Sequence, residues 1–123
     1  MQENLEQKMD EMSTVEQLNT CFVVGYLTDD VLLTYDEVKK TSVAKFYLKN
    51  HCKIGKNTYS NDFYVVIYGP KAERCAAELR KGKCCSVVGK MSTWSRIDKM
   101  GKTQPGVTII AYEALSVASE YGG

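Results

Sequence analysis

The sequence predicts an all-β fold: a small closed barrel of five strands, with one helix between the third and the fourth. Three observations carry this. Five segments read as strands, three of them alternating apolar and polar side chains with a period of two. After the first strand, one segment alone, bounded by Pro70 and Gly82, switches to the helical period. The body has too few helices for the crossovers of a parallel sheet. A chain of 123 residues, 44% hydrophobic and 25% charged, argues for one domain and one core.

The elements follow in order. Residues 1–18 lack Gly, Pro and aromatic residues, and Leu5, Met9 and Met12 fall at i, i+4 and i+7. That pattern fits either a frayed acidic leader or a docking helix. The first strand, residues 21–27, is apolar and β-branched, with Gly25 marking a bulge or a close approach. Residues 28–30 read as a turn, 31–33 as a short apolar piece, and 34–41 as a mostly polar stretch. In the second strand, residues 42–50, Ala44, Phe46 and Leu48 point inward, while Val43, Lys45, Tyr47 and Lys49 point outward. A long polar hairpin loop is expected over 51–61. The third strand, residues 63–68, puts Phe63, Val65 and Ile67 on one face and Tyr64, Val66 and Tyr68 on the other.

Pro70 suits a first helical position and Gly82 the residue just past a helix end. Between them Ala72, Cys75, Ala76 and Leu79 form an apolar stripe, and Arg80 and Lys81 complement the negative helix end. The fourth strand, residues 84–96, puts Cys85, Val87, Gly89, Met91 and Thr93 inward. A second hairpin loop (98–106) and a last strand (107–117) complete the chain. This order is that of the five-stranded Greek-key barrel of the oligonucleotide-binding (OB) type. The expected organisation is a leader (1–18), an OB domain (19–118) and a short tail (119–123).

Composition narrows the function classes. The net charge of +1 conceals an asymmetry. Residues 1–18 carry five acids against one base, a net of −4, while the remainder carries fifteen bases against ten acids, a net of +5. A basic body suits a polyanion. The five cysteines lack C-x-x-C spacing and His51 is the sole histidine, so no metal site and no cofactor are expected. Free thiols suit a reducing compartment. With no signal pattern and no apolar run of spanning length, a soluble cytoplasmic protein without membrane contact is expected. Catalysis is not expected either. Asp29-Asp30 has no partner His or Glu in a motif, and no phosphate loop or nucleophile elbow is present.

The outward faces interleave rings and cations. The second strand presents Lys45, Tyr47 and Lys49, the third Tyr64 and Tyr68, and the fourth Lys90, Trp94 and Arg96. Lys53 and Lys56 in one loop, and Lys99 and Lys102 in the other, extend the basic path. Single strands are held this way: a positive groove follows the phosphates, and bases of any sequence stack on rings. The alternative is a protein-interaction or assembly factor on the same fold, whose outward rings pack between subunits.

Several motifs are similar to those of the bacterial and phage single-stranded DNA-binding protein family. Asn19-Thr20-Cys21-Phe22-Val23-Val24-Gly25-Tyr26-Leu27 resembles that family's Asn-x-x-x-Leu-x-Gly-x-Leu opening, with Val23 for the first Leu. Val43-Ala44-Lys45-Phe46-Tyr47-Leu48 matches its Val-Ala-x-Phe-x-Leu strand, and Val65-Val66-Ile67-Tyr68-Gly69 resembles its Val-Val-Leu-Phe-Gly. Glu78-Leu79-Arg80-Lys81-Gly82 resembles its helix end, and Gly89, Thr93 and the 97–106 loop its last hairpin. The resemblance covers residues 19 to about 118. It implies a homotetramer that wraps single-stranded DNA in replication, recombination or repair. It also implies that Tyr68 stands at a stacking Phe and Lys81 at a basic helix-end position. Arg96 stands at a fourth-strand Trp, with Trp94 two residues earlier on the same face.

The departures mark a divergent member. Asp62 and Ile54 fall where the family carries Trp, and the acidic-aromatic tip of its tail is missing. Recruitment of protein partners through such a tail is therefore not expected.

Overall fold

A computed structural model describes residues 18–117. The expected acidic leader and the 119–123 tail lie outside the described residues, except for Leu18. Six strands and one helix run in the order β1 (Cys21–Leu27), β2 (Leu32–Asp36), β3 (Thr41–Ile54), β4 (Asn57–Tyr68), α1 (Pro70–Glu78), β5 (Cys84–Ile97) and β6 (Thr103–Ser116). Neighbouring strands run β1-β5-β6-β4-β3-β2, and a further β1–β3 pairing closes the first five of these into a barrel. All pairs are antiparallel except β4 with β6. The all-β barrel expected from the sequence is present, with one short helix.

The strand count needs correction. Residues 32–36 form a sixth strand hydrogen-bonded to β3 outside the closed barrel, so α1 lies between the fourth and fifth strands in chain order. Its alternation is hidden because an edge strand exposes both faces: Leu32, Leu33, Thr34 and Tyr35 are all exposed. The turn back to β3 is held by Asp36, whose Oδ1 accepts from the Val38 and Lys39 amides at 2.9 and 3.0 Å.

The two expected loops are mostly strand. β3 runs to Ile54 and β4 resumes at Asn57, and β5 and β6 turn only between Ile97 and Thr103. These arms project from the barrel with both faces wet, so their residues lose the apolar alternation that reveals a half-buried strand. For the same reason Met91 and Thr93, expected inward, are exposed.

The helix also ends earlier than the spacing predicts. Leu79 is already extended, at φ −99° and ψ 134°, and almost fully buried. Anchoring Leu79 in the core turns the chain back toward β1: the Gly82 amide donates to the Leu27 carbonyl and the Leu27 amide to the Lys83 carbonyl. Arg80 and Lys81 therefore lie in that turn rather than on the last helical turn.

The core follows the predicted inward residues. Leu27, Ala44, Phe46, Leu48, Val65, Ile67, Ala72, Cys75, Leu79, Cys85, Val87 and Ile109 are buried together, with Phe63 partly buried against them. Truncating one of the large ones, such as Phe46 to Ala, costs about 3–5 kcal/mol. Two residues assigned outward, Val43 and Val66, are buried as well. Gly25 is a close approach rather than a bulge: a Cβ there would lie 2.5 Å from the Lys49 carbonyl oxygen, where β1 crosses to β3. The register shift lies instead between β5 and β6, where Val88 pairs with Glu113 and Gly89 with Ala111, leaving Tyr112 as the extra residue.

Candidate nucleic-acid interface

Paired residues on neighbouring strands share a face, so the registers show which predicted side chains meet. Tyr47 pairs with Tyr64. Tyr64 pairs with Thr108. Thr108 pairs with Ser92, and Gly106, two residues earlier, pairs with Trp94. Tyr47, Tyr64, Thr108 and Trp94 therefore lie on one outer face, in a row crossing β3, β4, β6 and β5. The alternation places Lys45 and Lys49 on that face beside Tyr47, and Lys90 and Arg96 on it along β5.

Local contacts fix the rings. Tyr47 and Tyr64 stack with centroids 5.0 Å apart and planes at 26°. Tyr47 remains 50% exposed. Burial, and to a lesser extent the neighbouring Tyr47 and Tyr68 phenols, push the Tyr64 phenol above its ordinary value. The Trp94 indole N–H donates to Thr108 Oγ1 at 3.0 Å. Its ring lies over Gly106, where any Cβ would collide with the indole. Trp94 is still 45% exposed, so one ring face is open. Beside Tyr47 and Tyr64 is a cleft of about 260 Å³, also lined by Asp29, Asp30, Leu32 and Lys45.

The other predicted residues divide. Lys49 lies 3.6 Å from Asp62 across the β3–β4 ladder, so part of its charge is spoken for. Lys53 and Lys56 are exposed on the first arm; Arg96, Lys99 and Lys102 are exposed on the second. Asp98 holds the second tip, accepting from the Met100 and Lys102 amides at 2.9 Å and from Gln104 Nε2 at 2.9 Å. The hydrogen bond from Gln104, then the one from Lys102, holds the Asp98 carboxyl below its ordinary range.

Tyr68 lies on the same face by parity, with the Lys39 ammonium over one side of its ring, 4.1 Å from the centroid. Lys81 is off the sheet, in the turn after α1, where its amide donates to Asp30 Oδ1 at 2.8 Å.

The sequence reading missed several residues here. Thr108 and Gly106 seat the tryptophan, and the outward alternation of the last strand was the available signal for Thr108. Tyr26, His51 and Ser60 form a hydrogen-bonded chain on the outer surface, with Tyr26 Oη 3.1 Å from His51 Nε2 and Ser60 Oγ 2.8 Å from His51 Nδ1. No sequence motif announces that chain, because its members meet only through the β1–β3 crossing and the β3–β4 ladder.

Among the described residues, no group of three or more His, Cys, Asp or Glu is placed to hold a metal ion, and no helix is long and apolar enough to cross a membrane. Comparison with protein families matches residues 18–117 to the single-strand binding protein family. No curated protein matches the chain.

Proposed function

The chain belongs to the single-strand binding protein family, and from that premise we propose that it binds single-stranded DNA without sequence preference, along the outer face that carries Tyr47, Tyr64 and Trp94. The observation that carries this reading is the row itself. Rings on β3, β4 and β5 stand in register, with Lys45, Lys49, Lys90 and Arg96 on the same face. Bases stack on the rings and the cations take the phosphates. Nothing in that arrangement reads base edges, so affinity is insensitive to sequence. Coating and protecting single strands in the cytoplasm during replication, recombination or repair is the role that such a surface serves.

The barrel acts as a homotetramer in this reading. Phe22 (67% exposed) and Val24 on β1, with Leu115 on β6, leave an apolar outer face. Phe22 pairs with Val88, Val24 with Ser86, and Ser86 with Leu115, so the patch is continuous. Self-association is the simplest way to cover it.

Trp94 is the sole tryptophan, which makes the test direct. Its emission is followed while poly(dT), mixed-sequence single strands, RNA and duplex DNA are titrated at several salt concentrations, beside light scattering for mass. Single-stranded DNA of any sequence is expected to quench it, with affinity falling as salt rises. A tetramer that leaves Trp94 unchanged with every polynucleotide would instead favour an assembly factor.

A further inference from the structure

The register between β3 and β4 is unbroken from Val43 opposite Tyr68 to Ile54 opposite Asn57. Every second residue of β3 therefore keeps to one face along the whole strand. On the outer face these are Lys45, Tyr47, Lys49, His51 and Lys53: cation, ring, cation, ring, cation. The first ring belongs to the row described above. The second lies outside it and is paired in the same way. Tyr47 has Tyr64 beside it from β4, and His51 has Tyr26 from β1, with centroids 5.7 Å apart and planes at 37°. Tyr26 pairs with Lys49 where β1 crosses β3, and at the same crossing Asn50 Nδ2 donates to the Val24 carbonyl at 2.8 Å. Tyr26 Oη and Ser60 Oγ lie 3.1 and 2.8 Å from the two ring nitrogens of His51. Both nitrogen edges are thus occupied, and what the exposed imidazole has left to offer is its ring face.

We infer that His51, held by Tyr26 and Ser60, is a second base-stacking position, so that the single strand turns at Tyr47 and continues along β3 to the base of the first arm. The inference rests on the function proposed above. The spacing fits a polynucleotide. Successive members of the alternation stand about 6.6 Å apart at about 3.3 Å per residue, close to two stacked nucleotides at about 3.4 Å each. From Tyr47 to His51 is about 13 Å, which takes about four nucleotides more. The row from Trp94 to Tyr47, three inter-strand steps of about 4.8 Å, takes about as many. Bases stack on histidine as they do on larger rings. Because the imidazole is already fixed by its two hydrogen bonds, little side-chain entropy is lost when a base covers it. Lys49 lies between the two rings and Lys53 beyond the second. Asp62 shares Lys49 at 3.6 Å, so the exposed Lys53 is the stronger phosphate contact.

The test uses the full chain with a dT tetramer and a dT decamer, reading affinity from Trp94 emission and the footprint from amide NMR. In the unaltered protein the tetramer is expected to move amides of the row alone. The decamer should also move those of residues 49–53 and 58–61. His51→Ala is expected to weaken the decamer about five- to tenfold, the low end for one stacked base, and the tetramer by less than about twofold. His51→Phe keeps a ring face but makes neither hydrogen bond, and should hold the decamer within about threefold of the unaltered protein. Residue 51 is exposed, so both variants keep the core, which circular dichroism checks. Equal losses for tetramer and decamer would overturn the inference, because the ring would then only brace the arm. A His51→Phe protein as weak as His51→Ala would overturn it too, as would a decamer that moves no amide beyond the row. If neither oligomer moves Trp94 or any amide, the function proposed above fails and this inference with it. If both bind with one footprint, this inference alone fails.

Discussion

Tyr47→Leu separates stacking from charge on the proposed face. The Tyr47 ring is half exposed and lies outside the core cluster, stacked on Tyr64 at 5.0 Å. Leucine keeps an apolar side chain over Tyr64 and suits a strand. The expected loss of stability is that of one aromatic pair, about 0.5–1.5 kcal/mol. The loss in binding is that of one stacked base, about 1–3 kcal/mol, or roughly 5- to 140-fold in Kd at tenfold per 1.4 kcal/mol. Tyrosine is uncharged, so the slope of log K against log salt stays as in the unaltered protein. Lys45→Gln, two residues away on the same face, does the reverse. It lowers that slope by about 0.7, the value for one phosphate contact to a single strand. Both are read from Trp94 quenching by a dT oligomer at four or five salt concentrations, after circular dichroism confirms the fold. A Tyr47→Leu protein that binds within twofold of the unaltered one at every salt concentration would refute the stacking row.

Three further outcomes follow from the same packing. Gly106→Ala drives a methyl group into the Trp94 indole. The ring must leave Thr108, shifting its emission and costing about 1–3 kcal/mol of strain; an unchanged spectrum and melt would show that the ring does not lie there. Burial pushes the Glu113 carboxyl up, but hydrogen bonds from Arg74, Lys71 and the Ala114 amide outweigh it and hold the group below its ordinary value. A depressed folded value stabilises above the ordinary carboxylate range, and that stability is lost as pH falls through the folded value. Glu113→Gln is therefore expected to lose about 1 kcal/mol near pH 7, the pair being partly exposed, with the two melting curves converging below about pH 4; a pH-independent gap would count against it. Among the cysteines, Cys52 is exposed, whereas Cys85 is buried with its thiol pushed up to about 12, by burial first and then by Cys75 and Cys84. A thiol reagent at pH 8 should label Cys52 first and reach Cys75 and Cys85 only on unfolding; early labelling of Cys85 would contradict the packing.

How much of this was legible depended on where each residue sits relative to water on two sides. In the barrel wall one face is dry, so alternation identified Ala44, Phe46 and Leu48, then Val65 and Ile67, then Cys85 and Val87 as inward. At β2 and in the two arms both faces are wet. Thr34, Asn57 and Gln104 then look like loop residues although the backbone is paired. Val43 and Val66 show the opposite error: an apolar residue in an outward position was read by parity alone, yet each is covered. The site was legible to the extent that it depends on strand parity. Tyr47, Tyr64 and Trp94 were placed on the outer face from sequence and share it. Tyr68 shares that face by parity too, but parity carries no information about Lys39, which arrives from the β2–β3 turn and stands over one side of its ring. Lys81 was assigned from a motif at a helix end that here lies three residues before it.

The direction of the row sets the path a single strand would take in the proposed binding mode. Tyr47, Tyr64, Thr108 and Trp94 are neighbours across strands, not along one. Three inter-strand steps of about 4.8 Å make about 14 Å, the length of about four stacked nucleotides at 3.4 Å each. Cations, by contrast, are spaced along the strands. Lys45 and Lys49 stand two residues to either side of Tyr47, about 6.6 Å away at 3.3 Å per residue, and Arg96 stands two residues beyond Trp94. In the binding mode proposed above, a polynucleotide crossing the strands would meet rings beneath its bases and cations at its flanks, the separation its own backbone requires. The β4–β6 pairing is what makes this possible. As the single parallel ladder of the barrel it joins the β3–β4 arm to the β5–β6 arm, and it brings the two stacked tyrosines onto one surface with a tryptophan at least thirty residues away in sequence.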